Sequence, residues 1–140
     1  MHDIGKLCVP DEIVEKPARL TVAEFSVMER HSFETFQILR HVPGLETVAE
    51  WAAFHHEALN GHGYPFRRSA PTLVPEARII AVADVFQALA QVRPYRGAQR
   101  LDEISCTLGE FAGKGILDPD IVALARDDLD SSLRAATQTI

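Results

Sequence analysis

Apolar residues recur at three- and four-residue intervals along most of the chain, and proline and glycine residues interrupt this periodicity. The pattern predicts a short helical piece over 11–15 and longer helices over 21–41, 45–58, 75–92, 98–112 and from 118 to about 130. Thr21 and Glu24 have the spacing of a capping box, in which each side chain satisfies a backbone N–H at the helix start. We expect one all-α domain over residues 1–140, with five or six helices and a polar tail that frays after Asp130.

Several polar side chains fall on the apolar faces of these predicted helices: His31, His55, His56 and Asp84. The apolar residues that share the face of His31 are Phe25, Met28 and Leu39. A buried ionised carboxylate without a partner costs several kcal/mol, so these groups need one another or a common ligand. Imidazole nitrogens and carboxylate oxygens are ligands of zinc, iron and manganese, and a shared cation therefore explains the set.

The N-terminus adds a second group of candidate ligands, His2 and Asp3, with Lys6 one turn later. An adjacent His-Asp pair can bind one metal through the imidazole while the carboxylate bridges to a second metal. Lys6 is placed to reach a phosphate oxygen. The arrangement predicts a shared metal centre with a lysine beside it.

The motifs that carry a family resemblance are, in chain order, 2-HDIGK-6, His31, 55-HHE-57, 61-GHGYP-65, 78-RIIAVADVFQAL-89 and 93-RPYR-96. With these motifs the chain resembles the HD-GYP domains, a subgroup of the HD phosphohydrolase superfamily associated with cyclic di-GMP breakdown in bacteria. The resemblance extends from residue 2 to about residue 125 and implies the helical bundle of an HD domain.

The resemblance also implies roles for the matching positions. It implies that the ligands of a centre of two or three divalent metals, most often iron or manganese, are His2, Asp3, His31, His55, His56 and Asp84. Asp3 then bridges the metals and Lys6 acts near the scissile phosphate, so these two residues are the catalytic candidates. The substrate-binding candidates are Tyr64, on the loop that names the family, and Arg93 and Arg96, which match residues that contact ligand phosphates.

Two departures from the family pattern affect the functional expectation. Family members have a helix before the His-Asp pair, whereas Met1 directly precedes His2, so we expect the domain to be incomplete at its N-terminus and to lack the usual first helix. Asn60 stands where the family usually has aspartate. The leading hypothesis is a metal-dependent phosphodiesterase that converts cyclic di-GMP to linear pGpG or GMP. The alternatives are a catalytically impaired module that binds the nucleotide or a diguanylate cyclase partner, and an HD hydrolase of another nucleotide.

Composition narrows the expected partners and location. A net charge of −6 argues against a general DNA or RNA binder, although a local arginine cluster suits a small anionic ligand. No apolar run reaches the roughly 20 residues that span a bilayer, and we expect no signal peptide, since no apolar stretch of that type follows Met1. Cys8 and Cys106 lie far apart and predict free thiols in a reducing cytoplasm. Further expected partners are an upstream receiver or sensor domain and a second copy in a homodimer.

Overall fold

The computed structural model describes residues 1–92 and 97–137, and in this part of the chain every regular element is a helix. The α-helices are α1 (Asp11–Val14), α2 (Val22–Leu39), α3 (Glu46–Ala53), α4 (Pro75–Ala90), α5 (Leu101–Gly113), α6 (Pro119–Asp127) and α7 (Leu129–Thr137). Two short 3-10 helices cover Ile4–Cys8 and Ala70–Thr72. The prediction of an all-α fold is therefore confirmed. Within these described ranges, every helix falls short of the length and apolar content that crossing a bilayer requires.

The helix starts follow local sequence signals. At the start of α2, the Thr21 hydroxyl accepts from the Glu24 amide at 3.3 Å, and the Glu24 carboxylate accepts from the Thr21 amide at 2.7 Å. This is the predicted capping box, which is confirmed. Pro75 opens α4 and Pro119 opens α6, because the first helical position needs no amide hydrogen.

The main hydrophobic core lies between α4, α5, α6 and α7, and its best buried side chains are Ile104, Leu108 and Val122. A smaller core joins α2 to α3 through Leu39, Ala49 and Ala52, and Ile4 of the N-terminal 3-10 helix packs against it. This smaller core fixes the first residues of the chain against the middle of α2.

Two helices end differently from the sequence expectation. The helix predicted over 45–58 ends at Ala53, and the following residues form a turn that carries His55 and His56. After Asp130 the chain does not fray but forms α7, because Leu129, Leu133 and Ala136 lie on one face and pack against the main core.

Phe25 also departs from its predicted position. Its side chain is 48% exposed, although the helical period places it on the face of His31. The ring lines an open cleft and meets the Tyr64 ring edge-on, with their centroids 6.3 Å apart. The prediction that Phe25 is buried was therefore wrong, because the face of α2 that carries it borders a cleft at this point.

Candidate metal centre

Two histidine rings from different elements meet in the interior. His31 on α2 is 1% exposed, and His55 in the turn after α3 is 2% exposed. The Nδ1 of each ring donates to a backbone carbonyl three residues earlier, that of Met28 and that of Ala52 respectively. In the neutral rings both Nε2 atoms therefore carry lone pairs, and these two atoms lie 3.5 Å apart.

The N-terminal 3-10 helix brings the His-Asp pair to these rings. Asp3 Oδ1 lies 3.3 Å from His31 Nε2 and 3.9 Å from His55 Nε2, and Asp3 Oδ2 accepts from Lys6 Nζ at 2.6 Å. His2 Nε2 lies 3.6 Å from Asp3 Oδ2. The carboxylate of Asp3 thus stands between the histidines and the lysine.

Thr35 holds this segment in place from α2. Its buried hydroxyl donates to the His2 carbonyl at 3.0 Å and accepts from the Gly5 amide at 2.9 Å. A Cβ on Gly5 would overlap the His31 carbonyl oxygen and the Thr35 amide nitrogen. Only glycine permits this close approach of the 3-10 helix to α2.

Asp84 and His56 complete the group. Asp84 extends from α4, and its Oδ1 lies 3.5 Å from His2 Nε2. The His56 ring packs between His55, with centroids 3.9 Å apart, and Tyr64, with centroids 4.8 Å apart. Side chains from α2, α4, the turn after α3 and the N-terminal segment therefore converge on one point.

Burial and charge set the protonation of these groups. Burial lowers the pKa of His55 to about 4, and burial together with the neighbouring His55 lowers the pKa of His56 to about 3. Burial alone raises the pKa of Asp3, but its contacts with His31 and Lys6 outweigh this and hold the pKa well below the usual range. Burial likewise raises the pKa of Asp84, and the adjacent histidines reverse the shift. At neutral pH both carboxylates are ionised and His55 and His56 are neutral, which are the forms that bind metals.

These donors fit a divalent cation. A single proton on His31 would satisfy only one of the close contacts among His31, His55 and Asp3, whereas a cation would satisfy all of them. Two sets of three ligand atoms lie within 4.8 Å of one another, and they share His55. One set is His31, His55 and His56, and the other is His2, Asp3 and His55. The carbonyls that accept from Nδ1 fix the ring orientations, as outer partners of metal-binding histidines do.

An open cleft of about 790 Å³ leads to this group, and we call it the metal cleft. The residues that line it include Tyr64 and four members of the group, which are His2, Asp3, Lys6 and Asp84. Burial raises the pKa of the Tyr64 hydroxyl above its usual range, so this group stays protonated and can donate a hydrogen bond. The cleft admits a ligand of nucleotide size to the candidate ligands.

The loop that carries Tyr64 is held by Glu57. This carboxylate is 4% exposed and accepts from the amides of Phe66 at 2.7 Å and Arg68 at 2.8 Å. The Tyr64 amide donates to the His56 carbonyl at 3.1 Å. The loop is therefore tied directly to the turn that carries His55 and His56.

The structure brings together seven of the predicted site residues, which are His2, Asp3, Lys6, His31, His55, His56 and Asp84. Tyr64 lies beside this group. Arg93 and Arg96 lie outside the described residues. His62 is exposed on the loop and takes no part in the group. Sequence reasoning gave no role to Gly5, Thr35 or Glu57. Gly5 and Glu57 lie inside the quoted motifs, and Thr35 follows His31 by one helical turn, so a signal for each was present.

Comparison with known proteins places this geometry in a family. The HD domain family matches residues 1–121. The chain is 44% identical over 121 residues to 3'3'-cGAMP-specific phosphodiesterase 1 of Vibrio cholerae. The aligned segment covers 86% of this chain and 28% of the relative. It is 38% identical over 124 residues to a cyclic di-GMP phosphodiesterase of Thermotoga maritima, covering 87% of this chain and 33% of the relative.

A third relative is the cyclic di-GMP phosphodiesterase response regulator RpfG of Xanthomonas campestris, 38% identical over 124 residues, covering 87% of this chain and 32% of the relative. The chain thus spans about a third or less of the length of the curated relatives it matches. HD domains bind divalent metals, in agreement with the side-chain groups described above. The match across most of the chain and these relatives show that the chain belongs to the HD domain family and is of the HD-GYP type.

Proposed function

We propose that this chain is a metal-dependent phosphodiesterase domain that hydrolyses cyclic di-GMP to linear pGpG or GMP. The observation that carries the proposal is the convergence of Asp3 on the Nε2 atoms of His31 and His55, with Lys6 hydrogen-bonded to the same carboxylate. This group opens into a cleft large enough for a dinucleotide. The names of the relatives support the same reaction class.

The proposed metal ligands are His2, Asp3, His31, His55, His56 and Asp84. We propose two or three divalent ions, iron or manganese, because the ligand set mixes imidazole and carboxylate and leaves no place for thiolate. When bound, such ions would lower the pKa of a water and neutralise charge on the phosphodiester. Asp3 is the proposed bridging carboxylate.

The protein's own groups bind and orient the substrate. Lys6 lies beside Asp3 and is proposed to donate to a phosphoryl oxygen as negative charge develops there. The protonated Tyr64 hydroxyl and the proposed Arg93 and Arg96 would contact the substrate farther from the reacting phosphate. Glu57 keeps the Tyr64 loop against the histidine turn and so maintains the wall of the cleft.

A second candidate substrate is 3'3'-cGAMP. The relative with 44% identity is named for that substrate, and it shares the phosphodiester chemistry of cyclic di-GMP. A binding module without catalysis has less support, because all six proposed ligand residues are present and lie together. We further propose a cytoplasmic location, consistent with the free thiols of Cys8 and Cys106. A receiver or sensor domain, a diguanylate cyclase and a homodimer partner remain proposed partners.

A paired turnover and metal analysis tests the function. The purified chain, loaded with manganese or with iron under reducing conditions, should hydrolyse cyclic di-GMP, and Asp3→Ala should lose both turnover and bound metal. Asp127→Ala is the matched control, because this carboxylate is exposed at the end of α6. Bound metal without hydrolysis of either cyclic dinucleotide, in a folded protein, would contradict the proposal.

A further inference from the structure

A second groove meets the metal cleft at Tyr64, which lines both of them. We call it the lateral groove. It has a volume of about 740 Å³, which is the size of a small-molecule site, and its walls are one face of α2 and the loop from Gly61 to Arg67. The Tyr64 ring lies 4.8 Å from the His56 ring, so a ligand in this groove lies close to the metal centre.

The α2 wall of the groove faces the loop from Gly61 to Arg67, yet most of its residues are polar. It consists of four residues on one helical stripe: Ser26, Glu29, Arg30 and Phe33. A stripe that packs against a neighbouring segment is ordinarily apolar. Here it is polar at three of four positions, and the Phe33 ring remains 39% exposed. The stripe therefore offers both polar groups and an aromatic ring to a ligand in the groove.

The charged groups of the groove are free to bind such a ligand. In the part of the chain that the structure describes, neither the Glu29 carboxylate nor the Arg67 guanidinium takes part in an ion pair. Arg30 contacts Glu34 only at 4.0 Å, and its side chain is 71% exposed. The groove therefore presents a carboxylate acceptor, guanidinium donors and an aromatic face together.

Guanine has the complementary chemistry. One edge carries the N1–H and N2–H₂ donors, which suit a carboxylate, and another carries the O6 and N7 acceptors, which suit an arginine fork. Its flat face can stack on an aromatic ring. Adenine has an acceptor at N1 and a donor at N6, so the same carboxylate and guanidinium would face the wrong partners.

We propose that the lateral groove binds a guanine base of the cyclic dinucleotide, with Glu29 accepting from N1–H and N2–H₂ and Arg67 donating to O6 or N7. Phe33 supplies the stacking surface. This inference rests on the proposed function, because the phosphate next to the bound guanine must enter the metal cleft. Both candidate substrates contain at least one guanine, and the groove would select them against a cyclic dinucleotide that contains only adenine.

Binding rather than turnover tests the inference. The probes are phosphorothioate-linked cyclic di-GMP and cyclic di-AMP, which resist hydrolysis, titrated calorimetrically into the manganese-loaded chain. We expect the wild type to bind the cyclic di-GMP analogue at least about 30-fold more tightly than the cyclic di-AMP analogue, because mismatched polar groups in a site reject an analogue strongly. The quantity compared below is this ratio of the two affinities. Glu29→Gln should reduce this ratio about tenfold or more. Arg67→Asn should also reduce it, and asparagine tolerates the positive φ of 55° at this position.

Glu50→Gln is the matched control, since Glu50 is exposed on α3 away from both grooves, and its ratio should equal that of the wild type. Equal wild-type affinity for the two ligands, no binding of either, or an unchanged ratio in both groove variants would overturn the inference. If the chain prefers the guanine ligand but hydrolyses neither cyclic di-GMP nor 3'3'-cGAMP, the proposed function is contradicted and the guanine site is not.

Discussion

The Nε2 atoms of His31 and His55 lie 3.5 Å apart in the interior. When the rings are neutral and each Nδ1 donates to a carbonyl, both Nε2 atoms carry lone pairs, and two lone pairs at this distance repel each other. This relationship predicts that cation binding and folding are linked. At a free Mn²⁺ concentration of about 100 Kd, binding should add about 2.7 kcal/mol to the unfolding free energy and raise the Tm by roughly 9 °C.

Differential scanning calorimetry with and without Mn²⁺ measures this shift. His55→Ala should abolish most of it, whereas His62→Ala should retain it, because His62 is exposed on the loop outside the ligand group. Ca²⁺ at the same concentration should have little effect, since calcium prefers oxygen ligands. An equal shift in the wild type and in His55→Ala would argue against a metal at these rings.

Lys6 is expected to affect the chemical step. Its Nζ is hydrogen-bonded to Asp3 at 2.6 Å, beside the proposed position of the reacting phosphate. Lys6→Met should lower kcat for cyclic di-GMP by about 10²-fold, because a donor to the developing negative charge is lost. Steady-state kinetics measures the change, with Lys114→Met as the control on an exposed lysine. A rise in KM with kcat unchanged would show that Lys6 stabilises the bound substrate and the transition state equally and would contradict a role in the chemical step.

Gly63 is expected to tolerate no side chain. A Cβ there would overlap the His56 carbonyl oxygen and backbone atoms of Glu57 and Ala58, none of which can rotate away. Gly63→Ala should therefore destabilise the fold by about 3 kcal/mol in urea unfolding. Gly113→Ala is the control at the end of α5, where no atom lies within 4 Å of the added Cβ, and it should be neutral or slightly stabilising.

Glu57→Gln tests the anchoring of the Tyr64 loop. The substitution keeps the volume but turns one carboxylate oxygen into a donor that faces the amide of Phe66 or Arg68. A loss of about 2 kcal/mol in unfolding free energy is expected, because a buried amide loses its acceptor. Urea titration provides the measurement, and Glu50→Gln should show no comparable loss. Identical unfolding curves for the two variants would mean that the loop needs no such anchor.

The Glu24 carboxylate predicts a pH dependence of stability. Hydrogen bonds from Lys16 and from Thr21 lower the pKa of Glu24 from its ordinary 4.5 to about 2. A carboxyl with a depressed folded-state pKa contributes stability that is complete above the unfolded value and is lost as pH falls. The contribution should therefore disappear between about pH 4.5 and pH 2. Urea unfolding across this range should show a smaller acid-induced loss in Glu24→Gln than in the wild type, and parallel curves would refute the assignment.

Local sequence signals were sufficient for much of the fold. The capping box at Thr21 and the prolines at Pro75 and Pro119 mark helix starts, because capping depends only on neighbouring residues. Helical periodicity also placed His31 on the buried face of α2. The list of candidate ligands could be drawn up because histidines and carboxylates on apolar faces lack an ordinary structural explanation.

Three features depend on contacts between residues distant in sequence, and local patterns therefore could not predict them: the end of α3, the exposure of Phe25 and the requirement for Gly5. The segment after Ala53 contains no helix-breaking residue before Asn60, and the helix ends there because the turn bonds to the Tyr64 loop. The position of Phe25 depends on a cleft that forms only when α2 meets Tyr64. The close approach that requires Gly5 likewise involves a helix some 30 residues away in sequence, as the Gly5–Thr35 hydrogen bond shows.

The buried Thr35 hydroxyl connects the N-terminal residues to α2 through one donated and one accepted hydrogen bond. Its effect reaches the side chains of His2, Asp3 and Lys6, although its two hydrogen bonds are made to backbone atoms of His2 and Gly5. The N-terminal ligands and those on α2 therefore form one mechanical unit, in which the positions of the reactive groups depend on a residue that itself has no chemistry to perform. Natural variation at such a position would leave the buried Gly5 amide without its acceptor and would displace the proposed ligands without changing any of them, so a search confined to the proposed ligands would miss its cause.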